Sequence, residues 1–189
     1  MVFIFVYLYI VDTKNSIHTG AIYMTPNPKD VVFTPRNISK AVIEYLKPTG
    51  EVLEPCRGDG SFYDTGVYTD WCEISQGRDF LQYNKKVDWI ITNPPFSIYD
   101  NFLIKSMEIS DNIAFLIPLN KAIRGIKMHK LITEYGGLHE IIHLGTGSRC
   151  GFPFGFPVGV CVYKRGYKGD IKYTDWTEMD WLGKNSNNN

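Results

Sequence analysis

Six short apolar runs, several separated by helix-like segments, constrain the fold of this chain more than any other feature. The runs are VLE (52–54), DWCEI (70–74), VDWIIT (87–92), IAFLI (113–117), LHEIIHL (138–144) and VGVCVY (158–163), and each reads as a strand. In TPRNISKAVIEYL, Thr34 is placed to cap a helix and Pro35 to occupy its first position. Ile38, Ala41, Val42, Tyr45 and Leu46 line one face, and Pro48 ends it. SIYDNFLIKSMEI (97–109) and IKMHKLITEY (126–135) also read as helices, the second stopped by Gly136 and Gly137. Strands alternating with helices predict an α/β sheet, mostly parallel, with helices on both faces. The last two runs have no helix between them and predict an antiparallel edge at the C-terminal side.

A chain of 189 residues with 44% apolar residues is long enough for one domain with a sizeable core. Twenty basic residues balance twenty acidic ones, so affinity for a polyanion must come from a local patch. Cys56, Cys72, Cys150 and Cys161 lack metal-ligand spacing, which predicts no metal, no disulfide framework and a reducing, cytoplasmic setting. His129, His139 and His143 read as surface or packing residues. The opening MVFIFVYLYIV is too short for the ~20 residues that span a bilayer, so no membrane role is expected. Residues 1–23 read as an extension, either an added strand or a segment ahead of a functional start at Met24. The catalytic domain is then expected over 24–175, with a tail over 176–189 whose Asn-rich end, GKNSNNN, is expected to be disordered.

The chemistry concentrates in DWIITNPPFSIYD (88–100). Proline removes a backbone donor, fixes its own φ and keeps the preceding residue extended, so Asn93 and Pro94 are both held out of the helical region. A strand ending this way presents an amide carbonyl and bare main-chain carbonyls on a stiff platform. EVLEPCRGDGSF (51–62) is a strand followed by Gly58 and Gly60, which lets backbone approach a ligand closely or simply makes a tight connection. Glu73 follows Glu54 by nineteen residues, near the ~20-residue offset at which an acidic side chain reaches a ribose. Asp79 can accept from an adenine amino group or cap a helix, and Phe80 offers a ring for stacking.

The order TPxxI, LEPCRGDGSF, CEI, GRDFL and NPPF resembles the S-adenosylmethionine-dependent amino methyltransferases, above all the adenine-specific DNA methyltransferases with their [N/D]-P-P-[Y/F/W] signature. The resemblance runs from Thr34 to about Arg165 and implies a Rossmann-like methyltransferase sheet. It places Thr34 near the methionine part of S-adenosyl-L-methionine, with Glu54, Cys56, Gly58 and Gly60 in the loop beneath it. Glu73 holds the ribose, Ile74 belongs to the same pocket, and Asp79 and Phe80 hold the cofactor's adenine. Asn93, Pro94, Pro95 and Phe96 form the active site. The implied reaction is direct in-line methyl transfer to the exocyclic amine of an adenine swung out of double-stranded DNA, in a restriction-modification or phage setting.

Two departures accompany the resemblance. Only ISQGR separates Glu73 from Asp79, so the third strand of such a sheet is expected to be abbreviated. No stretch is long enough for a separate DNA-reading domain, which favours a homodimer or a partner subunit for target recognition. Lys121, Arg124, Lys127, Lys130 and Arg149 are candidates for phosphate contact, with a solvated basic face as the alternative. Phe152, Phe154 or Phe156 could wedge or stack on bases. The same chemistry on RNA, cytosine or a protein glutamine, or a cofactor-binding accessory role, stays open at the level of sequence.

Overall fold

A computed structural model describes residues 5–11, 17–23, 31–123 and 125–181 of the chain. Its elements run β1 (Phe5–Val11), β2 (Ile17–Tyr23), α1 (Arg36–Leu46), β3 (Val52–Glu54), β4 (Asp70–Trp71), β5 (Val87–Thr92), α2 (Tyr99–Ile109), β6 (Ser110–Pro118), α3 (Ile126–Tyr135), β7 (Gly136–Thr146), β8 (Pro157–Arg165) and β9 (Lys172–Asp175). β1 and β2 form an antiparallel pair of their own. The other seven strands make one sheet in the order β4-β3-β5-β6-β8-β7-β9. The Asn-rich C-terminal segment lies outside the described residues.

Both faces of the sheet are covered, which is why its central strands read as continuous apolar runs rather than alternating ones. Along β6, Ile113, Phe115 and Ile117 face the core shared with α2 and α3. The intervening Ala114 and Leu116 face the core shared with α1. On α1, Ile38, Val42 and Ile43 are buried, the i, i+4, i+5 spacing of a helix laid on a sheet. α2 contributes Tyr99, Phe102, Leu103 and Met107 to the opposite face. Removing any one of these large side chains would cost about 2–5 kcal/mol.

β3, β4, β5 and β6 are parallel. β8 is antiparallel to both β6 and β7 and sits between them. The expected antiparallel pairing is thus present, inserted into the sheet, and β9, not read from the sequence, closes the edge parallel to β7. At the opposite edge β4 has only two residues, and no strand lies between β4 and β5 in sequence, as the short ISQGR link predicts. Trp71 on that edge has the guanidinium groups of Arg57 and Arg78 over its ring, at 5.0 and 4.0 Å, and Arg78 pairs with Asp70. A strand this short, flanked by charges, is a poor template for pairing with another chain.

This topology gathers the motifs. The segments following β3, β5, β6 and β7 all leave the sheet at the carboxyl ends of parallel strands. Since Pro118 pairs with Val158 and Thr146 with Pro157, the loop between β7 and β8 opens at the same edge. That edge is where open α/β sheets bind ligands.

Candidate active site

Asn93 follows β5 at this edge and is half-buried. Its Nδ2 donates to the Val32 main-chain carbonyl at 3.0 Å and to Thr34 Oγ1 at 3.2 Å. Both amide hydrogens are therefore taken, and no group among the described residues donates to Oδ1. No hydrogen bond reaches the buried Pro94 carbonyl from the described residues either. Thr34 does not cap α1, in contrast to expectation. Pro35 holds that position (φ −56°, ψ 132°) with no side-chain capping bond, and its carbonyl receives the Ile38 N–H at 3.0 Å. The threonine hydroxyl is instead committed to Asn93.

Phe96 is half-buried, with its ring edge-on to Phe154 at a centroid distance of 6.2 Å and an interplanar angle of 66°. Its carbonyl accepts from Lys121 Nζ at 3.3 Å. Lys121, expected among the phosphate contacts, thus supports the Pro-Pro-Phe turn, because the end of β6 delivers it beside the end of β5.

The glycine loop adjoins this site. Gly58 and Gly60 have φ of +52° and +84°, which a side chain would strain. The Gly58 N–H donates to Glu73 Oε2 at 2.9 Å, and Glu73 Oε1 accepts from the Ser75 N–H at 3.1 Å and its hydroxyl at 2.7 Å. Glu73 therefore ties the loop to the single 3-10 turn that begins at Ile74. The Phe33 ring overlies Gly58, so that a Cβ built there would lie 3.4 Å from its Cδ1. Phe33 and the Val32 carbonyl were not foreseen from the sequence. An aromatic directly before Thr-Pro was the available signal for the first, whereas a main-chain acceptor leaves none.

Glu54, at the end of β3, is only 1% exposed. Burial pushes its pKa from 4.5 up to about 9, against the opposing hydrogen bond from the Tyr63 backbone. Its Oε2 has no partner among the described residues. The Cys56 thiol beside it is also pushed well above its usual range by burial. Asp79 caps a short turn by accepting the Leu81 N–H at 2.9 Å. Burial raises its pKa, the Leu81 bond and Lys105 opposing. Phe80 is a correction: its ring is 2% exposed and packs on Phe102 at 4.9 Å, so it offers no free face for stacking. The apolar wall of α2 outcompetes the pocket for this side chain.

The basic candidates lie on different elements. Arg124 lies outside the described residues, Lys127 and Lys130 are exposed on α3, and Arg149 is exposed in the turn after β7. The phenylalanine loop is ordered by two main-chain bonds, Gly147 N–H to the Phe156 carbonyl and Phe152 N–H to the Gly147 carbonyl, both 2.9 Å. Phe152, Phe154 and Phe156 stack in series with centroid spacings of 5.3 and 4.1 Å, running from the buried Phe152 to the exposed Phe156. Phe154, the middle ring, is the one that meets Phe96.

His139 packs on Tyr167, and His143 Nδ1 bonds the Tyr173 hydroxyl at 2.7 Å. Among the described residues no group of His, Cys, Asp and Glu is arranged to hold a metal, and no helix is long and apolar enough to cross a membrane. Two surface clefts, one lined by Asp88, Asp111 and Arg165, the other lying along α1, sit away from Asn93. In the first, Arg165 and Asp111 pair with each other at 2.6 Å.

No family model matches the sequence, and no curated protein matches it. Solved structures do resemble the fold. A Vibrio vulnificus YJ016 protein assigned as the modification subunit of a type I restriction enzyme aligns with a TM-score of 0.61 at 17% identity, over 76% of this chain and 46% of its own. The type I restriction enzyme EcoKI M protein aligns with a TM-score of 0.60 at 17% identity, over 70% and 44%. A Listeria monocytogenes protein assigned as a class I S-adenosylmethionine-dependent methyltransferase gives 0.56 at 12% identity, over 78% and 64%. The chain thus spans less than half the length of the first two proteins. Its fold is the Rossmann-like fold of class I S-adenosylmethionine-dependent methyltransferases, in line with the expectation from sequence.

Proposed function

We propose that this protein is an S-adenosylmethionine-dependent methyltransferase acting on the exocyclic amine of adenine in double-stranded DNA. The observation that carries the reading is the polarity of Asn93: both amide hydrogens are consumed by Val32 and Thr34, leaving Oδ1 as an acceptor, followed in the chain by a Pro94 carbonyl that receives no hydrogen bond from the described residues. An aromatic amine is a poor nucleophile because its lone pair is delocalised into the ring. Two fixed acceptors that take its hydrogens favour the form with the lone pair available and stabilise the positive charge that develops. Proline at 94 and 95 holds those acceptors in place without reorganisation. Phe96 would stack on the extruded base, offsetting part of an unstacking cost of a few kcal/mol. Phe154, already in contact with Phe96, would have to give way to admit it.

When bound, S-adenosyl-L-methionine supplies an electrophilic methyl group on sulfur. The residues present fit it: the buried Oε2 of Glu54 lacks a partner among the described residues, which an ammonium group would provide. Glu73 keeps lone pairs for a ribose hydroxyl pair alongside its bond to Gly58. Asp79 has a second oxygen for an adenine amino group, and Cys56, Gly58, Gly60 and Ile74 would wall the pocket. No covalent enzyme intermediate is needed, and the raised Cys56 thiol is suited to none.

Lys127, Lys130, Arg124 and Arg149 would contact phosphates. Target recognition would fall to a homodimer or a partner subunit, in keeping with the modification subunits that this fold resembles, within a restriction-modification assembly in the cytoplasm. Transfer of a labelled methyl group to DNA, RNA and bulk protein, with Asn93→Ala as control, tests the reading. Labelling of adenine in DNA that Asn93→Ala abolishes is expected. Labelling of RNA, cytosine or protein alone would replace the substrate, and DNA labelling only after a second chain is added would establish the accessory arrangement.

A further inference from the structure

We infer that Thr34 is a positioning residue, acting with the Val32 carbonyl to set the polarity and angle of the Asn93 carboxamide rather than touching the cofactor through its hydroxyl. This rests on the proposed role of Asn93. A carboxamide has two orientations of nearly equal shape, and only one points its carbonyl at a substrate amine. Val32 O is an acceptor and nothing else, so it admits the amide NH2 at 3.0 Å and repels Oδ1. The hydroxyl of Thr34 can accept or donate, so it does not choose the polarity. It takes the second hydrogen at 3.2 Å and fixes the plane of the group.

Thr34 is 6% exposed, so water does not readily replace it. Between these two residues Phe33 lies over Gly58. The segment Val32–Thr34 therefore joins the acceptor of the reaction to the glycine loop, and the order Val-Phe-Thr places two inward polar groups around one aromatic contact.

The test compares Thr34→Val, Thr34→Ser and Asn93→Asp with the wild type. Thr34→Val keeps the shape and removes the acceptor. It is expected to lower kcat about tenfold, the worth of one part-buried hydrogen bond, with the cofactor Kd and substrate KM unchanged. Thr34→Ser restores kcat to within about twofold. An aspartate ionised at 93 has no hydrogen for Val32 O, so Asn93→Asp is expected to lose about a hundredfold or more. It carries the test if Thr34→Val does not fold, which thermal melting reports.

An unchanged kcat in Thr34→Val, equal damage in Thr34→Ser, a loss confined to the cofactor Kd, or an Asn93→Asp enzyme within tenfold of wild type would each overturn the inference. A readout independent of activity separates its failure from that of the methyltransferase reading. The Asn93 side-chain NH2 signals, assigned by their loss in Asn93→Ala, are expected to be protected from hydrogen exchange and to lose protection in Thr34→Val. Unprotected signals in the wild type refute the positioning role even if methyl transfer occurs. Protection without methyl transfer refutes only the reading of the reaction.

Discussion

Replacing Glu54 by glutamine should stabilise the protein while weakening its hold on the cofactor. The folded carboxyl titrates at about 9 against an ordinary 4.5, so at pH 7 it must stay protonated in the fold although it ionises when unfolded. The unfavourable linkage is about 1.36 kcal/mol for each pH unit above 4.5, or roughly 3 kcal/mol at pH 7. The sign follows from the raised folded value: the penalty is absent below pH 4.5, grows through the neutral range and reaches its maximum above pH 9.

Glutamine removes the ionisation but brings its own unpaired amide hydrogens. The net gain should therefore be about 1–3 kcal/mol, seen as a melting temperature several degrees higher in the absence of cofactor. Cofactor affinity should move the other way. Pairing the ammonium with ionised Glu54 releases one proton while the ligand amine is charged, up to about pH 8. Affinity should thus rise about tenfold per pH unit between pH 6 and 8 and then level, and Glu54→Gln should be weaker and nearly flat. Calorimetry in buffers of different ionisation enthalpy would read the proton directly. A Glu54→Gln protein that melts lower than the wild type without ligand, or wild-type binding independent of pH, would refute the reasoning.

Glu140, 4% exposed, accepts from the Tyr45 hydroxyl at 2.7 Å and from Thr174 and pairs with Lys172, joining α1, β7 and β9. Burial alone would raise its pKa, but the bonds from Thr174, Tyr45 and Lys172 outweigh it and hold it below 4.5. Glu140→Ala should lower stability by about 2–4 kcal/mol in chemical denaturation near neutral pH, and the gap to wild type should narrow as pH falls through the depressed folded value. A Cβ at Gly147 would lie 2.4 Å from the Phe154 ring and 2.6 Å from its carbonyl. Gly147→Ala should therefore shift the phenylalanine loop, cost about 1–3 kcal/mol and lower methyl transfer without changing cofactor affinity. Cys72, Cys150 and Cys161 are buried, and burial raises their thiols to about 12, 11 and 12. Alkylation at pH 8 should be slow in the fold and fast in denaturant, and rapid labelling of the native protein would contradict the packing described.

Local pattern was enough for the long elements. VDWIIT and IKMHKLITEY coincide with β5 and α3, because a double-sided strand and an amphipathic helix are each declared by their own periodicity. The Pro-Pro constraint after Asn93 is also local, since it acts through covalent geometry. β9 was invisible because KYTD is exposed and polar, and it pairs only because β7 supplies an edge. The inserted place of β8 depends on which neighbours its apolar residues meet, and no short window contains that.

At the site, sequence alone determined which groups are available and how stiffly the turn after β5 is held: an amide, two prolines, a ring and a glycine loop in an order set by the chain. Tertiary structure decided what those groups face. Hydrogen bonds and desolvation depend on atoms brought together across 59 residues for Asn93 with Thr34 and 25 for Lys121 with Phe96. Burial turned Phe80 inward and kept Glu54 protonated. Propensity and covalent stiffness are properties of a few consecutive residues, whereas polarity, partnership and charge state belong to the environment that only the completed fold creates.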